Sequence, residues 1–458
     1  MKKTSVRVGC GQGFWGDWLE GPRLLVEKGA LDYLILDYLA EVTMSVLAKQ
    51  KARKPEFGYG RDLPQLIKGI AVPLLRGELK VVTNAGGLNP RACAEAVVTM
   101  FKESFPNEPT PKVAFVEGDD LTSRATLLRD AGEPLAHLES GAPFDTVAQQ
   151  ILSLNAYTDC SAVVAALQAG AQIVVTGRVA DPALCLGPLM FEFEWSRKDL
   201  DLLASGIVAG HIIECGAQST GGNFSLGWES VPNPAEIGYP IVEVSSDGTF
   251  IVTKPAGTGG TVTVASVTEQ LVYEIGDPQN YITPDVIADF THLTLSQVAE
   301  NQVKVVGARG KAAPATLKVS GTYSDGFKAE GTLVLVGPKV TTKAKICREM
   351  IERRLAIAGL HLKELYFENL GTFACIPGMA DKGLYPEPGE VVFRVAARDP
   401  DEKKLARFSR EIAPLVLSGP SGITGYAGGK GDVKEVVSFW PCLVKKEQIV
   451  QTWGIVNA

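Results

Sequence analysis

The chain has 458 residues, of which 45% are apolar and 21% charged, and its formal net charge at pH 7 is -7. This composition is that of a globular protein, and the length is sufficient for two or three domains with a large core. The negative charge argues against nonspecific binding to nucleic acid, and no apolar run approaches the roughly 18 residues of a membrane span. We therefore expect a cytoplasmic protein whose partner is a small molecule, with no nucleic acid and no membrane span.

Short apolar runs alternate with helical patterns through the first half of the chain. The predicted strands are residues 6–8, 34–36, 81–82, 113–116 and 173–175, and the predicted helices are 22–28, 42–53, 63–76, 90–102 and 161–169. Such alternation predicts an α/β fold with a mainly parallel sheet and flanking helices. The ligand of a sheet of this kind binds beyond the carboxyl ends of its strands.

Four of these strands lead into polar, glycine-rich loops. The first loop contains the pattern G-x-G-x-x-G at Gly11, Gly13 and Gly16. The rings of Phe14 and Trp15 occupy the place where a dinucleotide would put its pyrophosphate, so we discount nucleotide binding. These two rings are instead predicted to line an apolar pocket.

The second loop carries Asn84, Gly86 and Gly87 just before Pro90, at a predicted helix start. Free backbone amides at a helix N-terminus suit a phosphate, a carboxylate or a thioester oxygen. Glycine and asparagine also occur in strand-to-helix turns for conformational reasons alone.

The third and fourth loops contain ionisable side chains, and the sequence allows two interpretations of each loop. Asp119 and Asp120 belong either to a divalent-cation or general-base site, or to a helix cap. Arg178 and Asp181 form an internal ion pair, or Arg178 holds the carboxylate or phosphate of a substrate.

The segment 206–224 places His211 and Glu214 three residues apart, on one face of a predicted helix. Gly221, Gly222 and Asn223 follow in a turn that lets backbone amides approach a ligand. We predict that this segment forms the floor of an active site, although ordinary hydrogen bonds of a helix and its terminal turn are the alternative.

From about residue 235 the sequence becomes β-rich, beginning with a predicted hairpin of residues 241–244 and 250–253. Lys254, Gly259 and Gly260 then precede a helical pattern and form a second candidate anion site. Residues 322–328 are predicted to form a tight turn.

The last part of the chain has the element order β-α-β-β-α-β, which predicts a ferredoxin-like α+β domain. We expect a core domain over residues 1–340 and the ferredoxin-like domain over 341–458, with its first strand starting as early as 331. The loops at residues 418–422 and 425–431 are candidates to cover the site of a neighbour. A homo-oligomer is expected from the size and the small terminal domain.

Several motifs in order resemble the AtuA family, which is named for acyclic terpene utilisation. They span most of residues 5–335 and include GCGQGFWGD, DYLILDYLAEVTMS, VVTNAGGLNP, VEGDD, TGRVADPAL, AGHIIECGAQSTGGNF, KPAGTGG, YITPDV and YSDGFKAE. The last segment is similar to the ferredoxin-fold domain that accompanies the family. The resemblance implies catabolism of branched isoprenoid acids as coenzyme A thioesters, so coenzyme A is expected as part of the substrate.

On this basis we expect a hydratase or carbon-carbon lyase that acts on an acyl-CoA or a related organic acid. His211 and Glu214 are then acid and base, with Asp119 or Asp120 as further candidates, and a divalent metal is an open possibility. A nucleophilic role for Cys215 is a minor alternative. A noncatalytic subunit that binds acyl-CoA or a terpenoid is the alternative from another class, and a nicotinamide oxidoreductase ranks third.

Overall fold

A computed structural model of the chain describes residues 3–376, 387–425 and 431–456. The chain forms two compact units, one made of residues up to Thr322 and from Phe439 onward, and one made of Tyr323–Ser438. The division therefore differs from the expected boundary near residue 340, because the chain after Ser438 returns to the first unit. No helix in the described ranges combines the length and the apolar content needed to cross a membrane.

The strands are numbered in chain order. They are β1 Ser5–Gln12, β2 Tyr33–Leu36, β3 Lys80–Thr83, β4 Val113–Glu117, β5 Ile151–Ala156, β6 Ile173–Thr176, β7 Ile241–Ser245, β8 Phe250–Thr253, β9 Tyr281–Ile282, β10 Ile287–Asp289, β11 Thr294–Ala299, β12 Gln302–Val306, β13 Arg309–Lys311, β14 Thr316–Val336, β15 Glu364–Leu370, β16 Glu390–Asp399, β17 Ile423–Gly425, β18 Lys434–Lys445 and β19 Thr452–Ile455.

The α-helices are numbered in the same way. They are α1 Gly21–Gly29, α2 Glu41–Arg53, α3 Leu63–Gly69, α4 Ala71–Leu75, α5 Pro90–Ser104, α6 Ala125–Asp130, α7 Ser161–Gln168, α8 Ala183–Phe193, α9 Leu200–Glu214, α10 Val264–Val272, α11 Val340–Ile357, α12 Glu402–Phe408 and α13 Leu415–Ser418.

The main sheet of the first unit has the strand order β11-β12-β8-β7-β1-β2-β3-β6-β4-β19. Its centre, from β1 to β4, is parallel, as the sequence predicts. The expectation of a mainly parallel sheet is nevertheless wrong, because every added strand pairs antiparallel: β7, β8, β12 and β11 extend the edge of β1, and β19 covers the edge of β4. The fold is mixed α/β.

Helices pack on both faces of this sheet, and the strands supply alternate side chains to the two cores. Tyr33 and Ile35 of β2 belong to the core beneath α7, α8 and α9. Leu34 and Leu36 point to the opposite core, beneath α1, α3 and α5. Burial on both faces explains why these strands are continuous apolar runs in the sequence.

Helix α9 lies deep in the first core, since nearly all of its residues from Leu203 to Ile213 are buried. Glycine at position 210 permits a close approach to the loop after β6: a Cβ atom there would lie 2.6 Å from the carbonyl oxygen of Pro182. The contact places the end of α9, with Glu214, beside the loop that carries Asp181.

The second unit contains, in chain order, most of β14, then α11, β15, β16, α12, the short α13, β17 and the start of β18. Its sheet has six strands: β15-β16-β14-β17 are successive antiparallel neighbours, and β5 and β18 also pair with β14. Residues 340, 344, 347, 351 and 355 of α11 form the buried stripe that packs on this sheet. The expected loop at 425–431 lies partly outside the described residues.

The predicted turn at residues 322–328 is wrong, because β14 continues through it. Phe327 pairs with Asp399, and the register with β16 extends without a break to the end of β14. Gly326 takes a φ of 77°, which accommodates a local irregularity in the strand. Cross-strand pairing thus overrides the local turn preference of Asp325 and Gly326.

We predict that Gly210→Ala destabilises the protein, because the added methyl group meets the Pro182 backbone, which cannot rotate away. The expected loss in the free energy of unfolding is about 1–3 kcal/mol, typical of overpacking. Chemical denaturation measures it. Gly69→Ala is the matched control, since a Cβ there has no neighbour within 4 Å. A Gly210→Ala protein as stable as the control would contradict the close packing of α9.

Candidate functional site

A cavity of about 600 Å³ lies in the first unit, at the carboxyl ends of the parallel strands. The loops after three strands contribute to its wall: Phe14 follows β1, Asp37 follows β2, and Arg178 follows β6. The end of α9 adds Glu214. Position and composition therefore agree with the expectation that ligands bind beyond the strand ends.

Arg178 is the buried cation of this wall, with only 2% of its surface exposed. Its Nη1 donates to Oδ1 of Asp181 at 2.7 Å and to the carbonyl oxygen of Leu39 at 2.6 Å. Its Nη2 donates to the hydroxyl oxygen of Tyr157 at 2.9 Å, and the guanidinium stacks on that ring at 4.2 Å. The predicted internal ion pair with Asp181 is confirmed.

Asp119 holds the loop that carries Arg178. Its Oδ2 accepts hydrogen bonds from the Arg178 backbone amide and from the side-chain amide of Asn155, both at 2.8 Å. Burial raises the pKa of Asp119 to about 7, although these hydrogen bonds oppose the shift. Asp119 does not reach the cavity wall, so it supports the site from behind.

Asp37 lies at the end of β2 and is almost fully buried. Its Oδ1 accepts a hydrogen bond of 2.6 Å from the side-chain amide of Asn84. Burial, followed by the charge of Asp181, raises the pKa of Asp37 well above its usual range, while Arg178 opposes the shift.

His211 and Glu214 share one face of α9, as predicted, with His211 Nδ1 3.0 Å from Glu214 Oε1. The imidazole packs between the rings of Tyr281 and Phe290, and burial lowers its pKa to about 4. Burial and then the charge of Asp181 raise the pKa of Glu214 well above its usual range. The imidazole is therefore neutral at neutral pH, and burial favours the protonated form of the Glu214 carboxyl group.

A chain of polar contacts extends from Arg178 along the wall. The Tyr157 hydroxyl donates to Glu41 Oε1 at 2.6 Å, and Lys318 Nζ lies 3.5 Å from the same carboxylate oxygen. Burial acts to raise the pKa of Glu41, but the hydrogen bond from Tyr157 and the nearby cations outweigh it and the net shift is downward. Glu41 is therefore ionised.

The wall thus includes four of the residues expected from the sequence: Phe14, Arg178, Asp181 and Glu214. His211 and Asp119 lie one layer behind, each bonded to a wall residue. Trp15 does not line the cavity. Its Nε1 donates to Asp62, and its ring packs against the core beneath α1, α3 and α5.

The loop with Asn84, Gly86 and Gly87 is buried and does not line the cavity. Its hydrogen bonds are internal: the Asn84 side chain joins Tyr38 to Asp37, and the Gly87 amide donates to the Asn84 carbonyl oxygen at 3.1 Å. Asn84 thus holds Asp37 in place. The expected role of this loop as an anion site has no support in this geometry.

The other expected anion site, with Lys254, Gly259 and Gly260, already has internal hydrogen-bond partners. Lys254 Nζ donates to the carbonyl oxygen of Thr258 at 2.8 Å, within the same loop. The amides of Gly259 and Gly260 donate to the carbonyl oxygens of Glu236 and Pro232 in a preceding segment. None of the three residues lines the cavity.

Gly221, Gly222 and Asn223 form the turn after α9. Gly221 and Asn223 have φ values of 105° and 52°, and the Gly222 amide donates to the Ala217 carbonyl oxygen at 2.9 Å. None of the three lines the cavity. Their amides are therefore not placed as oxyanion donors at this wall.

The acidic loop after β4 does not form the metal site that was considered. Asp120 Oδ1 accepts from the Thr122 amide at 3.0 Å and so acts as a turn cap, and Glu117 lies 3.7 Å from Arg91. Across the described ranges, no group of three or more His, Cys, Asp or Glu side chains is arranged to hold an ion.

Cys215 lines the cavity but is a poor nucleophile. Burial, and then the charge of Glu214, raise its pKa to about 12, so the thiol is protonated at neutral pH. This geometry does not favour covalent catalysis through Cys215.

Several wall residues were not identified from the sequence, above all Asp37, Glu41, Tyr157 and Lys318. Asp37 carried a usable signal, because it directly follows the apolar run of β2, as the other loop residues follow their strands. Tyr157 and Lys318 carry no comparable signal, since each joins the site only through tertiary packing.

These features define a mixed α/β protein with an acid-rich cavity at the carboxyl ends of its central strands. The model of the family described as acyclic terpene utilisation family protein AtuA matches residues 6–455. The chain belongs to this family, and membership implies involvement in acyclic terpene utilisation. No curated protein and no solved structure gave a match.

We predict that Asp119→Asn removes a pH dependence of stability. The folded-state pKa of about 7 exceeds the unfolded value near 3.8, so between these values the folded protein holds a proton that the unfolded chain has released. Stability contributed by this group is present at acid pH and is lost as the pH rises from about 4 to about 7, by up to about 1.4 kcal/mol per pH unit.

Asparagine retains an oxygen that accepts both hydrogen bonds made to Oδ2, so the geometry is preserved. Urea unfolding of both proteins at pH 4, 5.5 and 7 measures the effect. The stability of Asp119→Asn relative to the wild type should rise across this window. A constant difference would show that Asp119 does not titrate there.

Proposed function

We propose that the first unit is an enzyme that acts on an acyl thioester, such as a coenzyme A thioester, or on a related carboxylic acid. The reaction is the addition or removal of water, or the cleavage of a carbon-carbon bond next to the activated carbonyl. The single observation that supports this proposal is that Asp37, Asp181 and Glu214 line the same cavity, where the guanidinium of Arg178 forms an ion pair with Asp181 alone.

Asp37 is buried and Glu214 and Asp181 are partly buried, so these three carboxyl groups beside one buried cation cannot all be ionised without an electrostatic cost. Asp181 is the counterion of Arg178, because two of its oxygen contacts go to the guanidinium, at 2.7 and 3.4 Å. Glu214 and Asp37 then hold protons at neutral pH. One wall thus supplies both a carboxylate and protonated acids, which is the requirement of general acid-base catalysis.

Glu214 is the proton donor in this proposal. His211 Nδ1 fixes one of its oxygens, and the other, Oε2, has no hydrogen-bond partner among the residues that the structure describes. In a dehydration, Glu214 gives its proton to the leaving hydroxyl group, which departs as water. His211 is a positioning residue, because it lies behind Glu214 and does not line the cavity.

Asp181 is the proton acceptor. Burial raises the pKa of its carboxyl group, while Arg178 opposes the shift, so the carboxylate is more basic than an exposed aspartate. In a dehydration it takes the proton from the carbon next to the carbonyl group. In a retro-aldol cleavage it takes the proton of the β-hydroxyl group, the bond between the α and β carbons breaks, and Glu214 protonates the α carbon.

The charge of the wall favours an uncharged carbonyl group at its centre. The lining carboxyl groups are Asp37, Glu41, Asp181, Glu214 and Glu274, and the lining cations are Arg178 and Lys318. Arg178 is already paired, so a free substrate carboxylate would meet mainly negative groups there. A thioester carbonyl instead accepts a hydrogen bond from a protonated acid.

We also infer that the second unit is a ferredoxin-like domain. The support is its β-α-β-β-α-β order and the antiparallel strand order β15-β16-β14-β17, with its helices on one face. Fold alone does not assign this unit a function.

We predict that Glu214→Gln lowers kcat/KM for hydration or retro-aldol turnover of isoprenoid acyl-CoA thioesters by about 10²–10⁴, because the proton donor is lost. Asp181→Asn should give a loss of the same order. His211→Gln should lower kcat more than it raises KM, since it misplaces the donor without removing it. Steady-state kinetics on purified full-length variants measure these effects.

Glu108→Gln is the matched control, because Glu108 is exposed and lies outside the cavity. Unchanged rates in both Glu214→Gln and His211→Gln would remove the proposed acid and its positioning residue. Binding across the thioester panel with no turnover in the wild type would instead favour the noncatalytic binding subunit.

A further inference from the structure

A second cavity, of about 470 Å³, adjoins the acid-rich one. The two share a wall made of Gln218, Tyr273 and Glu274, which line both. These residues come from the turn after α9 and from the end of α10. The two cavities are therefore adjacent.

The turn that the sequence marks as glycine-rich builds the far side of the second cavity. Asn223, Ser225 and Leu226 line it. Glu269 of α10 fixes this segment, since its carboxylate accepts hydrogen bonds from the amides of Ser225 and Leu226 at 2.9 and 3.2 Å. Both oxygens of Glu269 are thus used within the protein, and the segment is held in shape without a ligand.

Exposed apolar side chains follow the two cavities. Phe14 and Ile282 line the first and are 57% and 64% exposed. Val272 and Leu226 line the second and are 65% and 76% exposed, and the half-exposed ring of Tyr273 stands between the two pairs. Apolar surface concentrated along one groove marks a binding site for an apolar group, whereas scattered exposed residues need no explanation.

We propose that the second cavity is a subsite for the distal part of a hydrocarbon chain whose acyl head lies at Glu214. This inference rests on the proposed function, and it adds that chain length determines affinity through Leu226 and Val272. The occupant is the apolar tail of the same ligand, because the two cavities share Gln218, Tyr273 and Glu274 and exposed apolar side chains line both.

The experiment measures binding rather than turnover, by isothermal titration calorimetry with saturated butanoyl-, hexanoyl-, octanoyl- and decanoyl-CoA. Each methylene group buried in the subsite should tighten binding by about fourfold, since its transfer from water contributes about 0.8 kcal/mol. Leu226→Ser and Val272→Ser should reduce the ratio of decanoyl-CoA affinity to butanoyl-CoA affinity by about tenfold or more when combined.

Leu127→Ser is the matched control, because Leu127 is 66% exposed but lines neither cavity. It should leave the chain-length ratio unchanged. If the wild type binds all four thioesters equally, or if the Leu226 and Val272 variants keep the wild-type ratio, the subsite is disproved while the proposed function stands. If no thioester of any length binds, the proposed function fails and the subsite fails with it.

Discussion

The site depends on the ion pair and the hydrogen bonds of the Arg178 guanidinium. The guanidinium is buried, and its hydrogen bonds join three separate stretches of chain through Asp181, the carbonyl oxygen of Leu39 and the hydroxyl of Tyr157. Asp119 fixes the backbone of Arg178 from below. A buried charge is stable only when it is paired and hydrogen-bonded, so displacing one of these stretches would leave the buried guanidinium with an unsatisfied donor.

This arrangement also determines which carboxyl groups keep their protons. Arg178 can neutralise one carboxylate at short range, and Asp181 is that partner. Asp37 and Glu214 are buried in the same region without a cation of their own, and the charge of Asp181 makes their ionisation still less favourable. Burial and an unequal number of charges thus shift the pKa values of three chemically similar side chains, which is the basis of the acid and base roles we propose.

Much of this layout is readable in the sequence. Apolar runs predict the parallel strands, and the loops after them contain Phe14, Arg178 and Asp181, because parallel strands direct their carboxyl ends to one edge. The helical spacing of His211 and Glu214 predicts their contact correctly. These features depend on short-range periodicity, which a single chain displays without any knowledge of the fold.

The features that the sequence does not predict depend on which hydrogen-bond donors and strand edges already have partners within the protein. The loop at Asn84 has the composition of an anion site, but the Asn84 side-chain amide donates a hydrogen bond to Asp37. Lys254 likewise donates a hydrogen bond within its own loop. Residues 322–328 have the composition of a turn, but they lie within β14, where Phe327 and Lys328 pair with β16. A sequence shows the presence of a polar group and not its partner, so the distinction between a ligand site and a satisfied loop requires the tertiary structure.

The position of β19 in the chain affects how the main sheet forms during translation. This strand pairs with β4, whose end leads to Asp119, yet the ribosome synthesises it after the whole second unit. During translation the β4 edge therefore stays open for more than 300 residues of growing chain. An unpaired strand edge is a site for association with other chains, so the nascent chain carries this exposed edge until β19 emerges.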